Sequence, residues 1–283
     1  MSESDPSNPR DGDFELVTLR NGHRAVRHLG HGEVMHPAVG PWQEALGLYV
    51  DQPRLADRLR QPGPPLVILD VGLGAATNAV AALTRARELG PERARELHVV
   101  SLEVDLAPLR LALADAEGFP FLQPFRAAAE SLMRDGSWEE PGLRWTLKLG
   151  DAVPFLDGEL PLADLVFFDP FSPASNPDMW TESVLARVRR HCREDGEGAL
   201  LMTYSAATPT RVTLLLAGFF VGAGASTGTK GETTVASTRF ESLAAPLGTR
   251  WRERWERSSS RAPHGAELTP EVERRLRTHP QWR

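Results

Sequence analysis

The chain of 283 residues has one cysteine, Cys192, so no internal disulfide can form, which fits a reducing cytoplasm. Near the expected end of a helix, that thiol reads as a packed side chain rather than a nucleophile. No apolar run approaches the roughly 20 residues that span a bilayer. The opening MSESDPSNPRDGD is polar and acidic and does not read as a signal peptide. There is no internal repeat and no cluster that reads as a metal site. A basic excess is also missing, since the net charge is −6. Residues 239–283 carry ten arginines against six glutamates, leaving −10 on residues 1–238. Phosphate binding favours a basic surface, so the acidic body argues against a nucleic-acid partner and for a small substrate.

What is present is ordinary for a globular protein, with 41% apolar and 25% charged residues. Residues 1–12 read as a disordered tail. Residues 13–60 read as a hairpin and helical entry segment. Segments 14–19 and 24–28 flank Asn21-Gly22, a hairpin signal. Loop punctuation at His36-Pro37 and Gly40-Pro41 precedes a helical pattern over 42–50. Within that segment, His36 and Glu44 read either as cap or surface groups or as ligand contacts.

A proline-glycine linker at 61–65 opens the main domain, residues 61–240. A buried strand over 66–69 runs into Asp70-Val71-Gly72-Leu73-Gly74-Ala75-Ala76, and a helix follows over 78–89. A strand, a glycine turn and a helix present backbone N–H groups to a ligand. The next strand, 97–102, ends on Glu103, where an acidic group hydrogen-bonds a ribose diol in nucleotide sites. Helices follow at 106–116 and 121–133. A third strand over 143–149 ends in Gly150-Asp151, and a fourth covers 165–168. Further strands are expected at 199–203, 219–221 and 233–237, with helices at 182–191 and 210–217. Alternating elements of this kind predict an α/β fold, doubly wound around a mostly parallel sheet.

The stretch 165–180 is the most informative. An apolar strand ends on Asp169-Pro170-Phe171. Proline stops ladder pairing and pushes the preceding residue from helical angles, so Asp169 belongs at the carboxyl lip of the sheet, where ligands bind. The competing reading is a plain strand-to-helix turn with a capping aspartate. Residues 241–283 form an Arg/Trp-rich extension. There, Trp251 and Trp255 sit four apart, either docked on the domain or interleaved with arginines for nucleic acid.

The run Asp169 to Thr181, DPFSPASNPDMWT, resembles the loop of the MnmC-like S-adenosylmethionine-dependent methyltransferases, which act on the wobble uridine of tRNA. The glycine loop with Asn78, residues 147–151, LMTYSAATPTR at 201–211 and residues 228–237 resemble further segments of that family. The entry segment with His36, Gly40 and Glu44 is similar to its stand-alone members. The likeness covers about 14–238. It departs at Ala76 and Pro170, each where the family has glycine, and at Gly231 after Lys230, where a basic residue is expected. The tail has no placed counterpart, and no FAD-dependent oxidoreductase half is visible, so methyl transfer alone is expected.

The resemblance implies a class I methyltransferase fold, Rossmann-like, with a seven-stranded sheet and an N-terminal hairpin extension. It implies S-adenosylmethionine as cofactor, held by Asp70, Gly72, Gly74, Asn78, Glu103 and Asp151. It implies Asp169 as the catalytic group, with Phe171, His36 and Glu44 on the substrate, and tRNA as partner. Two alternatives stay open: methylation of a small amine, and a non-catalytic relative that binds nucleotide or RNA.

Overall fold

A computed structural model describes residues 8–35, 40–226 and 231–282. His36, Gly228, Lys230 and most of the expected tail, residues 1–7, lie outside the described residues. The chain divides into two compact units, residues 1–66 with 70–152 and residues 67–69 with 153–283.

The first unit opens with β1 (Arg10–Asp11), β2 (Phe14–Thr18) and β3 (Arg24–His28), a three-stranded antiparallel sheet. The hairpin is as expected. Arg10 and Asp11, expected in the tail, instead pair with Glu15 and Phe14. The reason lies in Glu15, whose buried carboxylate draws in Arg27 and, at 3.5 Å, Arg10. α1 (Pro41–Ala45) continues into a π-helical turn, Leu46–Asp51, and α2 (Leu55–Arg60) follows. β4 (Leu66–Val71) and α3 (Thr77–Leu89) enclose the glycine loop. β5 (Leu97–Glu103) and α4 (Ala107–Ala114) come next. The helix expected over 121–133 begins as a 3-10 turn over Pro120–Phe125, where Pro124 lacks the N–H an α-helix needs. Only then does α5 (Arg126–Asp135) form. β6 (Ser137–Glu140) and β7 (Leu143–Leu149) pair antiparallel.

The second unit contains α6 (Ala152–Asp157), β8 (Leu165–Phe168), α7 (Glu182–Arg190), β9 (Leu200–Thr203), α8 (Thr208–Leu216), β10 (Phe220–Gly224) and β11 (Thr233–Ser237). α9 (Thr249–Arg257) and α10 (Pro270–Arg277) close it. The large sheet has eight strands in the order β10-β11-β9-β8-β4-β5-β7-β6. β5 with β7 and β8 with β9 run parallel, whereas β10, β11 and β6 pair antiparallel. The eighth strand, β6, exceeds the seven expected. Its alternating burial over only four residues gives a weak period-2 signal.

The residues set apart as an extension are integral to the second unit. Trp251 and Trp255 are buried, so the docking reading of that pair holds. The Trp251 ring stacks on Trp282, and the Trp255 indole donates to the Arg261 carbonyl. Gln281 is buried against β10. Its Oε1 accepts from the Val221 N–H at 2.6 Å, and its Nε2 donates to the Val221 and Leu247 carbonyls at 2.8 Å. With residues 245–247 paired along the same strand, this covers an edge that would otherwise present open backbone groups.

Candidate active site

In the first unit the glycine loop leaves β4 with a sharp reversal. Gly72 and Gly74 have φ of +92° and +53°, where a side chain is strained. Ala76 also takes a left-handed φ of +62°, at the N-cap of α3. A Cβ at Gly74 would meet the Met35 sulfur at 3.3 Å, so the loop is closely covered. Glu103, the last residue of β5, braces it. One carboxylate oxygen accepts from the Gly74 N–H at 2.8 Å. The other accepts from the N–H groups of Val104 and Asp105 at 2.7 and 3.1 Å. Burial pushes the Glu103 pKa up, opposed by those three backbone donors.

Asp70 differs from the expected strand-end position. β4 runs on to Val71, so Asp70 lies inside the strand and is 1% exposed. Its Oδ2 accepts from the Ser101 hydroxyl at 2.7 Å, and that hydroxyl accepts from the Trp145 indole at 3.0 Å. Asp70 is therefore part of a buried chain beneath the loop. Asn78 is buried in the first turn of α3. Beside it, Thr77 Oγ1 is buried without a hydrogen-bond partner among the described residues. Asp151 is exposed just beyond β7. Glu44 is buried in α1.

Two apolar side chains stand out at the same strand ends. Val104 is 72% exposed directly after Glu103, and Leu149 is 53% exposed at the end of β7, in register with Glu103. Neither was picked out from sequence. An isolated apolar residue at a strand end looks like the last core position until its exposure is seen.

In the second unit Asp169 follows β8 and is partly exposed, while Pro170 behind it is buried and Phe171 is half-buried. The backbone of this loop is held by aromatic donors. The buried Trp180 indole donates to the Phe171 carbonyl at 2.8 Å, and the Tyr204 hydroxyl reaches the Pro170 carbonyl at 3.5 Å. Trp180 in turn packs edge-on against Phe168, Tyr204 and His264. His264 Nε2 shares a 3.0 Å hydrogen bond with Thr210 Oγ1, which bonds Ser205 at the same distance. A Cβ at Gly265 would meet the Thr181 methyl at 2.8 Å, so the C-terminal segment presses on the end of the loop. Asp169 is thus not a simple helix cap. Thr181 caps α7, accepting from the Val184 N–H. Trp180 belongs to the loop motif, but its role, like those of Tyr204 and His264, depends on contacts between segments far apart in sequence. Cys192 is buried, and burial pushes its thiol up to about 12, which makes it inert as a nucleophile.

Residues 124–239 match a family described as S-adenosyl-L-methionine-dependent methyltransferase. A protein from Methylibium petroleiphilum, tRNA 5-methylaminomethyl-2-thiouridine biosynthesis bifunctional protein MnmC, is 33% identical over 233 residues. The match takes in 78% of this chain and 34% of that one. The protein of the same name from Ralstonia nicotianae is 33% identical over 217 residues, 72% of this chain and 29% of that one. The chain therefore spans about a third of the length of these relatives. The crystal structure of MNMC2 from Aquifex aeolicus superposes with a TM-score of 0.72 at 27% identity, covering 97% of this chain and 86% of that one. With a glycine loop braced by a strand-end glutamate and a pinned Asp-Pro-Phe loop, the chain belongs to the MnmC-like S-adenosyl-L-methionine-dependent methyltransferases.

Proposed function

We propose that the chain methylates the aminomethyl nitrogen on C5 of the wobble uridine in tRNA. The observation that carries this reading is the Asp169-Pro170-Phe171 loop, a partly exposed carboxylate followed by two carbonyls that Tyr204 and Trp180 hold in place. A carboxylate with rigid neighbouring carbonyls is suited to accept the hydrogens of an amine. The name shared by the relatives, tRNA 5-methylaminomethyl-2-thiouridine biosynthesis protein, supplies the amine.

Residues of the first unit suit the cofactor. Gly72 and Gly74 take the positive φ that turns the backbone N–H groups of the loop toward the helix start, and Glu103 offers a carboxylate to the ribose hydroxyls. Val104 and Leu149 offer exposed apolar surface for a flat base, with Asp151 beside them for its amino group. Thr77 Oγ1 is a buried hydroxyl still able to bond. Asp70 and Asn78, both buried, support the loop and the first turn of α3. When bound, S-adenosyl-L-methionine supplies an electrophilic methyl group.

The acceptor poses the harder problem. An alkylamine has a reference pKa near that of lysine, about 10.4, and an ammonium has no lone pair. Asp169 holds the amine by its hydrogens and takes the proton that must leave. An ionised carboxylate alone raises an amine's pKa, so Asp169 needs a dry, partly apolar setting, which the half-buried Phe171 ring helps provide. Glu44 and His36 are assigned to the substrate by the family resemblance.

The test is mass spectrometry of nucleosides from tRNA carrying the unmethylated aminomethyl group, after incubation with the chain and S-adenosyl-L-methionine. Gain of one methyl group on that nucleoside is the expected result. Methylation of a small amine with none in tRNA overturns the reading, an outcome that the charge of −10 on residues 1–238 would then explain.

A further inference from the structure

The arginines of the second unit fall into two groups. On α7, Arg187 and Arg190 pair with Asp157, and Arg189 pairs with Glu194. On α10, Arg274 pairs with Glu271, Arg275 with Glu182 and Arg277 with Glu256. On α9, Arg250, Arg254 and Arg257 are exposed, and none forms an ion pair with any described residue. Their spacing, i, i+4 and i+7, sets them on one face of the helix. Glu253 lies beside that face, leaving it net positive in a chain whose net charge is −6.

We propose that this face of α9 is a track for the phosphodiester backbone of RNA, which deepens the tRNA reading above and rests on it. Guanidinium groups match phosphate oxygens with paired N–H donors, and unpaired ones pay no cost to break an existing ion pair. The tryptophans of α9 turn inward, Trp251 at 7% and Trp255 at 2% exposure, so the helix has no outward apolar face to enter a lipid surface. The track is also tethered to the acceptor loop. Trp255 bonds Arg261, and His264 bonds Thr213 through its backbone and packs on Trp180, whose indole holds Phe171. His264 lies seven positions after Arg257, at most about 25 Å of extended chain, or about seven nucleotide steps of 3.4 Å. A polynucleotide with one residue at the loop can therefore lay its flanking phosphates along α9.

The alternative is structural: cations in the last turn of a helix favour its dipole by a small amount. The experiment uses the full chain with Arg250→Gln, Arg254→Gln and Arg257→Gln combined, and fluorescence anisotropy of labelled bulk tRNA from 50 to 200 mM salt. The slope of log affinity against log salt is expected to fall by about 2, from 0.7–0.9 for each lost phosphate contact. Tenfold or greater loss of affinity at low salt should accompany it, with S-adenosyl-L-methionine affinity unchanged. Tight, salt-dependent tRNA binding by the unaltered chain with the same slope in the variant overturns the track alone and leaves the proposed function standing. Absence of tRNA binding by the unaltered chain overturns both. Loss of binding to phosphatidylserine vesicles, with tRNA binding intact, assigns the face to a membrane and overturns the proposal.

Discussion

Each unit ends a strand in a loop to which a function is proposed above, and the two loops are held by different means. In the first, the glycine loop is shaped mostly within about one βαβ unit, by two glycines, a left-handed Ala76 and a glutamate on the next strand bonding three backbone N–H groups, with Met35 of the entry segment packed against Gly74. In the second, the Asp169 loop has turns of its own, with the Ser175 and Asn176 N–H groups donating to the Ser172 carbonyl, and side chains from other segments add to them. Its carbonyls are held by Trp180 and Tyr204, and Trp180 is backed by His264 from the C-terminal segment. On the proposed reading, the cofactor loop is built mostly from local pattern, whereas the acceptor loop also draws on Tyr204 and His264, far away in sequence.

The largest expected effect falls on the second loop. Asp169→Ala should lose about 10²–10⁴ in turnover, the range for a positioned acid–base group. Asp169→Asn keeps an acceptor oxygen without the charge. If it retains full turnover at neutral pH, Asp169 aligns the amine and takes no proton.

Glu103→Ala tests the first loop. Losing a hydrogen-bonding carboxylate should weaken S-adenosyl-L-methionine binding by about 1.5–3 kcal/mol, roughly 10- to 150-fold, measured by calorimetry. The pH dependence has a definite sign. On the proposed reading the ionised form accepts the ribose hydroxyls, and burial raises the Glu103 pKa above its ordinary 4.5. Cofactor affinity should therefore begin to fall on acidification at a higher pH than an ordinary glutamate would give. The stability linkage runs the other way: the raised pKa stabilises the fold at low pH, and that contribution is lost as pH rises through it.

A smaller effect separates support from chemistry. Trp180→Phe keeps a ring but removes the donor to the Phe171 carbonyl. A net hydrogen bond of about 0.5–1.5 kcal/mol corresponds to roughly 2- to 10-fold in turnover, with cofactor affinity unchanged. A parallel loss of cofactor binding would mean the two loops are not supported independently.

The same contrast explains what was legible in the sequence. The hairpin at Asn21-Gly22, the glycine turn and Glu103 follow from local residue chemistry, and they stand where the pattern put them. Asp70 did not, because whether a carboxylate ends a strand or sits inside it is decided by a partner, here Ser101, 31 positions away. β6 was missed because four residues at a sheet edge carry too little periodicity. The C-terminal segment was the least readable. Gln281 completes β10 from 60 positions away, and no motif announces a side chain that imitates a strand.

The independence of the two loops is tested most directly by titrating S-adenosyl-L-methionine into Asp169→Ala and Glu103→Ala in one calorimetric series. The account predicts that Asp169→Ala binds nearly as tightly as the unaltered chain, because Asp169 is assigned to the acceptor. Glu103→Ala should be weakened by at least about tenfold. Equal weakening in both variants would contradict the division of cofactor and acceptor between the glycine loop and the Asp169 loop.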